Sequence, residues 1–146
     1  MVKYIKKDLL DTDCKYIAHG VNCQNAMGSG VAKALYTKYP EVKSEYHRYC
    51  DTGVHRLGAT QLVDCGDKQI FNCFTQSGYG REPGRVYMSY EAVALCFQNF
   101  RELGIKQIAI PKIGCGLAGG DWGKIEKTIN WAVKNDVEVL VHVLED

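Results

Sequence analysis

Two glycine-rich stretches hold the residues best placed for chemistry. Residues 19–30 read His-Gly-Val-Asn-Cys-Gln-Asn-Ala-Met-Gly-Ser-Gly and follow the strand-like run Tyr16, Ile17 and Ala18. Residues 111–122 read Pro-Lys-Ile-Gly-Cys-Gly-Leu-Ala-Gly-Gly-Asp-Trp and follow Ile108, Ala109 and Ile110. Each stretch runs into helical sequence, so each presents unpaired backbone N–H groups at a helix N-terminus. Those amides and the helix dipole both favour negative charge, which suits phosphate. Glycine lets the backbone approach a ligand closely. Two such loops suit a ligand with two linked phosphates. The alternative is a pair of tight strand-to-helix turns, although both stretches are longer than turning alone requires.

Other motifs are weaker. Gly114-x-Gly116-x-x-Gly119 matches the dinucleotide fingerprint in form. That fingerprint opens the first βαβ unit of a doubly wound sheet, whereas this one lies near the end of the sequence. Residues 28–33 lack the spacing and the Ser or Thr of a Walker A loop. His47-x-x-Cys50 and His55 have poor metal-ligand spacing and no second pair, so no metal site is expected. The 7 cysteines include no C-x-x-C, and several fall inside apolar patterns. Buried free thiols in a reducing compartment fit this better than a disulfide framework.

Charge narrows the partners. The 18 basic and 17 acidic residues are interleaved and leave a net charge of +1. The electrostatic footprint for duplex nucleic acid is therefore missing. A small anion held by backbone amides needs no such excess. The first residues carry no signal-peptide apolar region, and no run reaches membrane-spanning length, so a cytoplasmic protein is expected.

The elements that must carry these loops follow from periodicity. Residues 2–6 and 15–22 read as strands, the second ending at the first glycine loop. Val31, Ala34, Leu35 and Tyr39 lie at helical spacing, and Pro40 ends that helix or starts another. Residues 41–49 read as a mostly polar surface helix. Residues 60–65 and 68–75 read as a hairpin about Gly66-Asp67. Residues 76–85 form a long loop with Arg81 and Arg85. Tyr90, Val93, Ala94, Phe97 and Phe100 mark an amphipathic helix, and residues 105–110 a strand buried on both faces. Ile125, Ile129, Ala132 and Val133 mark the last helix, and residues 137–144 the last strand.

The order β-β-α-α-β-β-α-β-α-β predicts a single α/β domain over residues 1–146, a three-layer α/β/α sandwich with a mixed central sheet. In such sheets the ligand crevice lies beyond the carboxyl ends of the strands. Both glycine loops and the 76–85 loop belong at that edge.

Three segments in this order resemble the macrodomain family, the ADP-ribose-binding modules. They are Lys7-Asp8-Leu9, similar to the family's Gly-Asp-Ile, then residues 20–31, then Ile110-Pro-Lys-Ile-Gly-Cys-Gly-Leu117. The resemblance spans nearly the whole sequence. It is greatest to the branch of yeast-type ADP-ribose-1″-phosphate phosphatases, terminal ADP-ribose-protein glycohydrolases and DNA ADP-ribosyl hydrolase antitoxins.

The resemblance implies roles. Asp8 would accept a hydrogen bond from the adenine amino group, beside Leu9, with a surface turn as the alternative. Gly28, Ser29, Gly30 and Val31 would hold one phosphate. Ile113, Gly114, Cys115, Gly116 and Leu117 would wrap the other phosphate and the distal ribose. Asn22 and Asn25 would face that ribose, although Asn25 also suits a turn. Cys115, set between two glycines, fits a small residue tolerated near phosphate better than a nucleophile.

Departures from the relatives narrow the reaction. The glycohydrolases use a lysine just after the middle strand, where this sequence has Thr75-Gln76-Ser77. They also use an aspartate where Ala118 stands, and a third branch uses one where Val31-Ala32 stands. His19 and Asp121 remain as the catalytic candidates. A histidine titrating near neutral pH could act as acid or hydrogen-bond donor, and Asp121 could orient a water. The alternatives are a backbone bond for His19 and a helix N-cap for Asp121. The resemblance thus implies ADP-ribose binding and hydrolysis of the terminal phosphate of ADP-ribose 1″-phosphate, by a monomer without cofactor. The other readings are a non-catalytic ADP-ribose reader or sequestering protein, and a hydrolase of ester-linked ADP-ribose or O-acetyl-ADP-ribose.

Overall fold

A computed structural model describes residues 1–28, 30–80, 82, 84–115 and 118–144. Six strands and four helices follow in the order β1 (Val2–Lys6), β2 (Tyr16–Asn22), α1 (Gly30–Lys38), α2 (Glu41–Asp51), β3 (Thr60–Asp64), β4 (Gln69–Gln76), α3 (Tyr90–Glu102), β5 (Gln107–Ile110), α4 (Trp122–Val133) and β6 (Glu138–Val143). A 3₁₀ turn, Leu9–Asp11, follows β1. Pro40 precedes α2 with φ −55° and starts the second helix, as its fixed φ suits.

The strands form one sheet in the order β1-β6-β5-β2-β4-β3. All neighbours are parallel except the β3–β4 hairpin, which makes the sheet mixed as expected. Alternation along the strands builds a core on each face. Ile17 and Val21 of β2, Ile70 and Phe74 of β4 pack with Leu35 of α1 and Val42, Tyr46 and Cys50 of α2. Ala18, Phe71, Cys73, Ile108, Ile110, Val139 and Val141 pack with α3 and α4 on the other face. This is the α/β/α sandwich.

Two readings shift in detail. Ala92 and Cys96 are core residues of α3, whereas Ala94 and Tyr90 are only half-buried. The buried face keeps Val93, Phe97 and Phe100 and adds the small Ala92 and Cys96. In α2, Val42, Tyr46 and Cys50 are buried, so a helix with many polar residues still has a firm apolar stripe. Among the described residues no helix is long and apolar enough to cross a membrane.

The topology opens a crevice between β5 and β2. From β2 the chain leaves through α1 and α2 toward β3 and β4, and from β5 it leaves through α4 toward β6 on the other side. Connections departing in opposite directions from adjacent strands leave a gap at their carboxyl ends, where open α/β sheets bind ligands.

Candidate functional site

A cleft of about 920 Å³ occupies that crevice, within the range of small-molecule sites. Both glycine loops line it. The first supplies Asn22, Gly28, Gly30 and Val31, and the second supplies Ile113, Gly114 and Cys115. His19 forms part of its floor. Of the remaining site expectations, Asp8, Leu9, Asn25 and Asp121 do not line the cleft, and Ser29, Gly116 and Leu117, like Arg81 of the long loop, lie outside the described residues.

The first loop is built by Asn22 and Tyr46. Asn22 Oδ1 accepts from Gln24 N at 2.9 Å and from the Tyr46 hydroxyl at 3.0 Å, and its Nδ2 donates to Ala26 O at 2.7 Å. The Tyr46 oxygen also accepts from Ala26 N at 3.1 Å. Burial pushes the Tyr46 phenol up, so it stays protonated and can donate. Asn22 is thus a staple that fixes the loop's path while bordering the cleft. Asn25 takes φ +59°, a left-handed conformation that asparagine tolerates, and its side chain turns to α2.

The second loop is closed on itself and against the long loop. Gly120 N donates to Gly114 O at 2.8 Å, and Tyr87 N donates to Ala118 O at 2.8 Å. Gly119 has φ +81°, and a Cβ there would come within 2.6 Å of Arg85 O. Only glycine lets the end of the 76–85 loop dock here. Burial pushes the Cys115 thiol up, partly opposed by Lys112 and reinforced by Asp121, which leaves it a neutral thiol rather than a nucleophilic thiolate. All seven cysteines are free.

His19 is 1% exposed. Its Nε2 meets Asn72 Oδ1, while Asn72 Nδ2 donates to Val42 O at 3.1 Å and to Gln61 Oε1 at 3.0 Å. With its amide thus oriented, Asn72 can only accept from the ring, so the proton sits on Nε2. Nδ1 is then an acceptor, buried and without a partner among the described residues. Burial lowers the His19 pKa to about 4, partly opposed by the Asn72 bond. The expectation of a histidine titrating near neutrality does not hold in this environment. The ring is neutral at pH 7 and a weaker base than a free imidazole, so it serves as a fixed dipole rather than as an acid.

Asp121 is the N-cap of α4, its Oδ1 accepting from Lys124 N at 3.4 Å. Asp8 caps the 3₁₀ turn by accepting from Leu10 N at 3.0 Å, and its side chain is exposed. Leu9 is buried in the core on the α1–α2 face.

The cleft also holds residues that sequence reasoning passed over. Lys43 and His47 reach it from α2, and Gln76 and Tyr79 from the far rim. Lys112 completes a lining in which the described residues carry basic groups and no carboxylate. The four-residue spacing of Lys43 and His47 was the available signal, because it places both on one helix face. His55, once weighed as a metal partner of His47, instead bonds Cys23 O at 2.7 Å.

Comparison with known proteins places this architecture. The chain is 30% identical over 148 residues to the DNA ADP-ribosyl glycohydrolase of Mycobacterium tuberculosis, covering 97% of this chain and 42% of that protein. It therefore spans about two fifths of that relative's length. It is 26% identical over 156 residues to the ADP-ribose 1″-phosphate phosphatase of Lodderomyces elongisporus, covering 96% of this chain and 98% of that one. The solved macrodomain of Mycobacterium tuberculosis DarG superposes with a TM-score of 0.83 at 28% identity, covering 97% of each chain. Residues 18–129 match the Macro domain family, and the chain belongs to it.

Proposed function

We propose that the cleft binds ADP-ribose and hydrolyses the terminal phosphate of ADP-ribose 1″-phosphate. The observation that carries this reading is a cleft flanked by both glycine loops whose described lining carries basic groups and no carboxylate, with His19 on its floor. The loops offer backbone amides to the two phosphates of the pyrophosphate, without spending side-chain charge on them. A water held in the cleft between the two loops is oriented toward the phosphorus, with the neutral His19 behind it as a positioning residue. As its oxygen bonds phosphorus and the P–O bond to the ribose breaks, a proton passes from the water to the ribosyl oxygen. Asp121, at the end of the second loop, caps α4 outside the cleft lining and would have to turn into the cleft to hold that water.

Likeness to the Lodderomyces phosphatase over nearly the full length of both chains supports this reading. A second reading is removal of ADP-ribose from DNA, favoured by the 30% identity to the mycobacterial glycohydrolase. Against it, Thr75-Gln76-Ser77 stands where the resemblance implies a catalytic lysine. Phosphorus NMR separates the two. Growth of inorganic phosphate from ADP-ribose 1″-phosphate, with the pyrophosphate signals intact, is the expected result. ADP-ribose release from modified DNA without phosphate release would establish the second reading instead.

A further inference from the structure

The cleft contains more basic side chains than a pyrophosphate held by backbone amides requires, and two of them sit together. Lys43 and His47 lie one turn apart on α2 and both face the cleft beside the first glycine loop. Lys43 forms no ion pair with any described residue; its ammonium lies 4.6 Å from the centroid of the Tyr36 ring of α1, which holds the side chain without neutralising it.

His47 is oriented by a relay. Asn25 Nδ2 donates to Asp51 Oδ1 at 3.2 Å, and Asn25 Oδ1 meets His47 Nδ1 at 2.5 Å. An ionised carboxylate only accepts, so Asp51 turns the Asn25 oxygen toward the ring and Nδ1 carries a hydrogen. Nε2 is then left without a partner among the described residues. Nε2 is the ring nitrogen open to a phosphate oxygen. This is also a reason for Asn25 to hold the left-handed backbone, φ +59°, that aims its side chain at α2.

We propose that Lys43 and His47 form a third anion subsite beside the first glycine loop, which takes a phosphomonoester carried by the ligand in addition to its two bridging phosphates. The proposal rests on the ADP-ribose reading of the cleft and names the residues that select a phosphorylated ligand over ADP-ribose itself. Asn25 and Asp51 are positioning residues for His47.

The test uses the whole chain, saturated with ADP-ribose and titrated with inorganic phosphate, followed by phosphorus NMR. The variants are Lys43→Met, which keeps the apolar stem against Tyr36, His47→Gln, the rescue variant Lys43→Arg, and the control Lys127→Met on α4. Phosphate should bind the wild type, Lys43→Arg and Lys127→Met. It should bind about tenfold or more weakly to Lys43→Met and His47→Gln, while their affinity for ADP-ribose changes less than about threefold. Phosphate binding that is absent in the wild type with ADP-ribose bound, or equal in all variants, overturns the subsite alone. Failure of the wild type to bind ADP-ribose overturns the reading of the cleft and the subsite with it.

Discussion

His19 Nε2 lies 2.5 Å from Asn72 Oδ1, and the two residues are in register on adjacent parallel strands, β2 and β4. Asn72 is itself anchored to Val42 of α2 and Gln61 of β3. The floor of the cleft is therefore tied through one amide to a helix and to the edge strand.

That burial makes stability depend on pH. The unfolded chain takes up a proton on His19 near its ordinary value of 6.5, and the folded chain does so only at about 4. Between those values the unfolded state binds more protons, so stability falls as pH falls through the window. The loss is roughly 3 kcal/mol when complete, at about 1.4 kcal/mol per pH unit of separation. Above pH 6.5 this histidine adds no pH dependence. Denaturant titrations of the wild type and His19→Asn between pH 7 and 4 should show a shallower slope in the variant. Parallel slopes would mean that His19 titrates normally.

Gly20 and Thr75 meet across the same pair of strands on the opposite face. A Cβ on Gly20 would lie 2.6 Å from Thr75 Oγ1, and that hydroxyl is buried with no partner among the described residues. Gly20→Ala should destabilise the fold by about 1–3 kcal/mol through overpacking. Thr75→Ala removes a hydroxyl with no partner among the described residues, so its cost should be small. Thermal unfolding of the double variant should show most of the Gly20→Ala loss recovered. Additive effects would contradict the contact.

These pairs show where the sequence was legible. The β-α order, the two-sided burial of β5 and the apolar face of α4 follow from periodicities of two and 3.6, which act within single elements. The first glycine loop was legible for the same reason, because its residues are chain neighbours. The His19–Asn72 bond joins residues 53 positions apart and depends on strand register, which no local pattern states. Lys43 and His47 read as solvated positions on a polar helix. Their place at the cleft depends on how Val42, Tyr46 and Cys50 seat α2 against the sheet.

Asp8 combines a cap with a proposed adenine contact, and two substitutions separate them. Asp8→Asn keeps an oxygen that accepts from Leu10 N, so its melting temperature should stay near that of the wild type. Its affinity for ADP-ribose should fall by about 1–3 kcal/mol, because a charged acceptor is replaced by a neutral one. Asp8→Ala should lose both the cap and the affinity. Calorimetric titration of Asp8→Asn with unchanged affinity would leave Asp8 with the cap alone.

The same logic decides the role of Asp121. Its Oδ1 caps α4, and its backbone N–H donates to the Tyr90 hydroxyl at 2.9 Å, which fixes the start of the helix beside α3. Asp121→Asn preserves an oxygen acceptor for the cap and removes the charge that would orient a water. Asp121→Ala removes both, with a stability cost of about 1 kcal/mol. If the carboxylate acts in the reaction, phosphate release should drop in both variants, with kcat affected and ADP-ribose affinity retained. If it only caps the helix, Asp121→Asn should turn over like the wild type, and Asp121→Ala should lose thermal stability without a matching loss of kcat below its melting transition. Steady-state phosphate release, measured beside thermal unfolding of the same preparations, distinguishes these outcomes because charge and acceptor are removed separately.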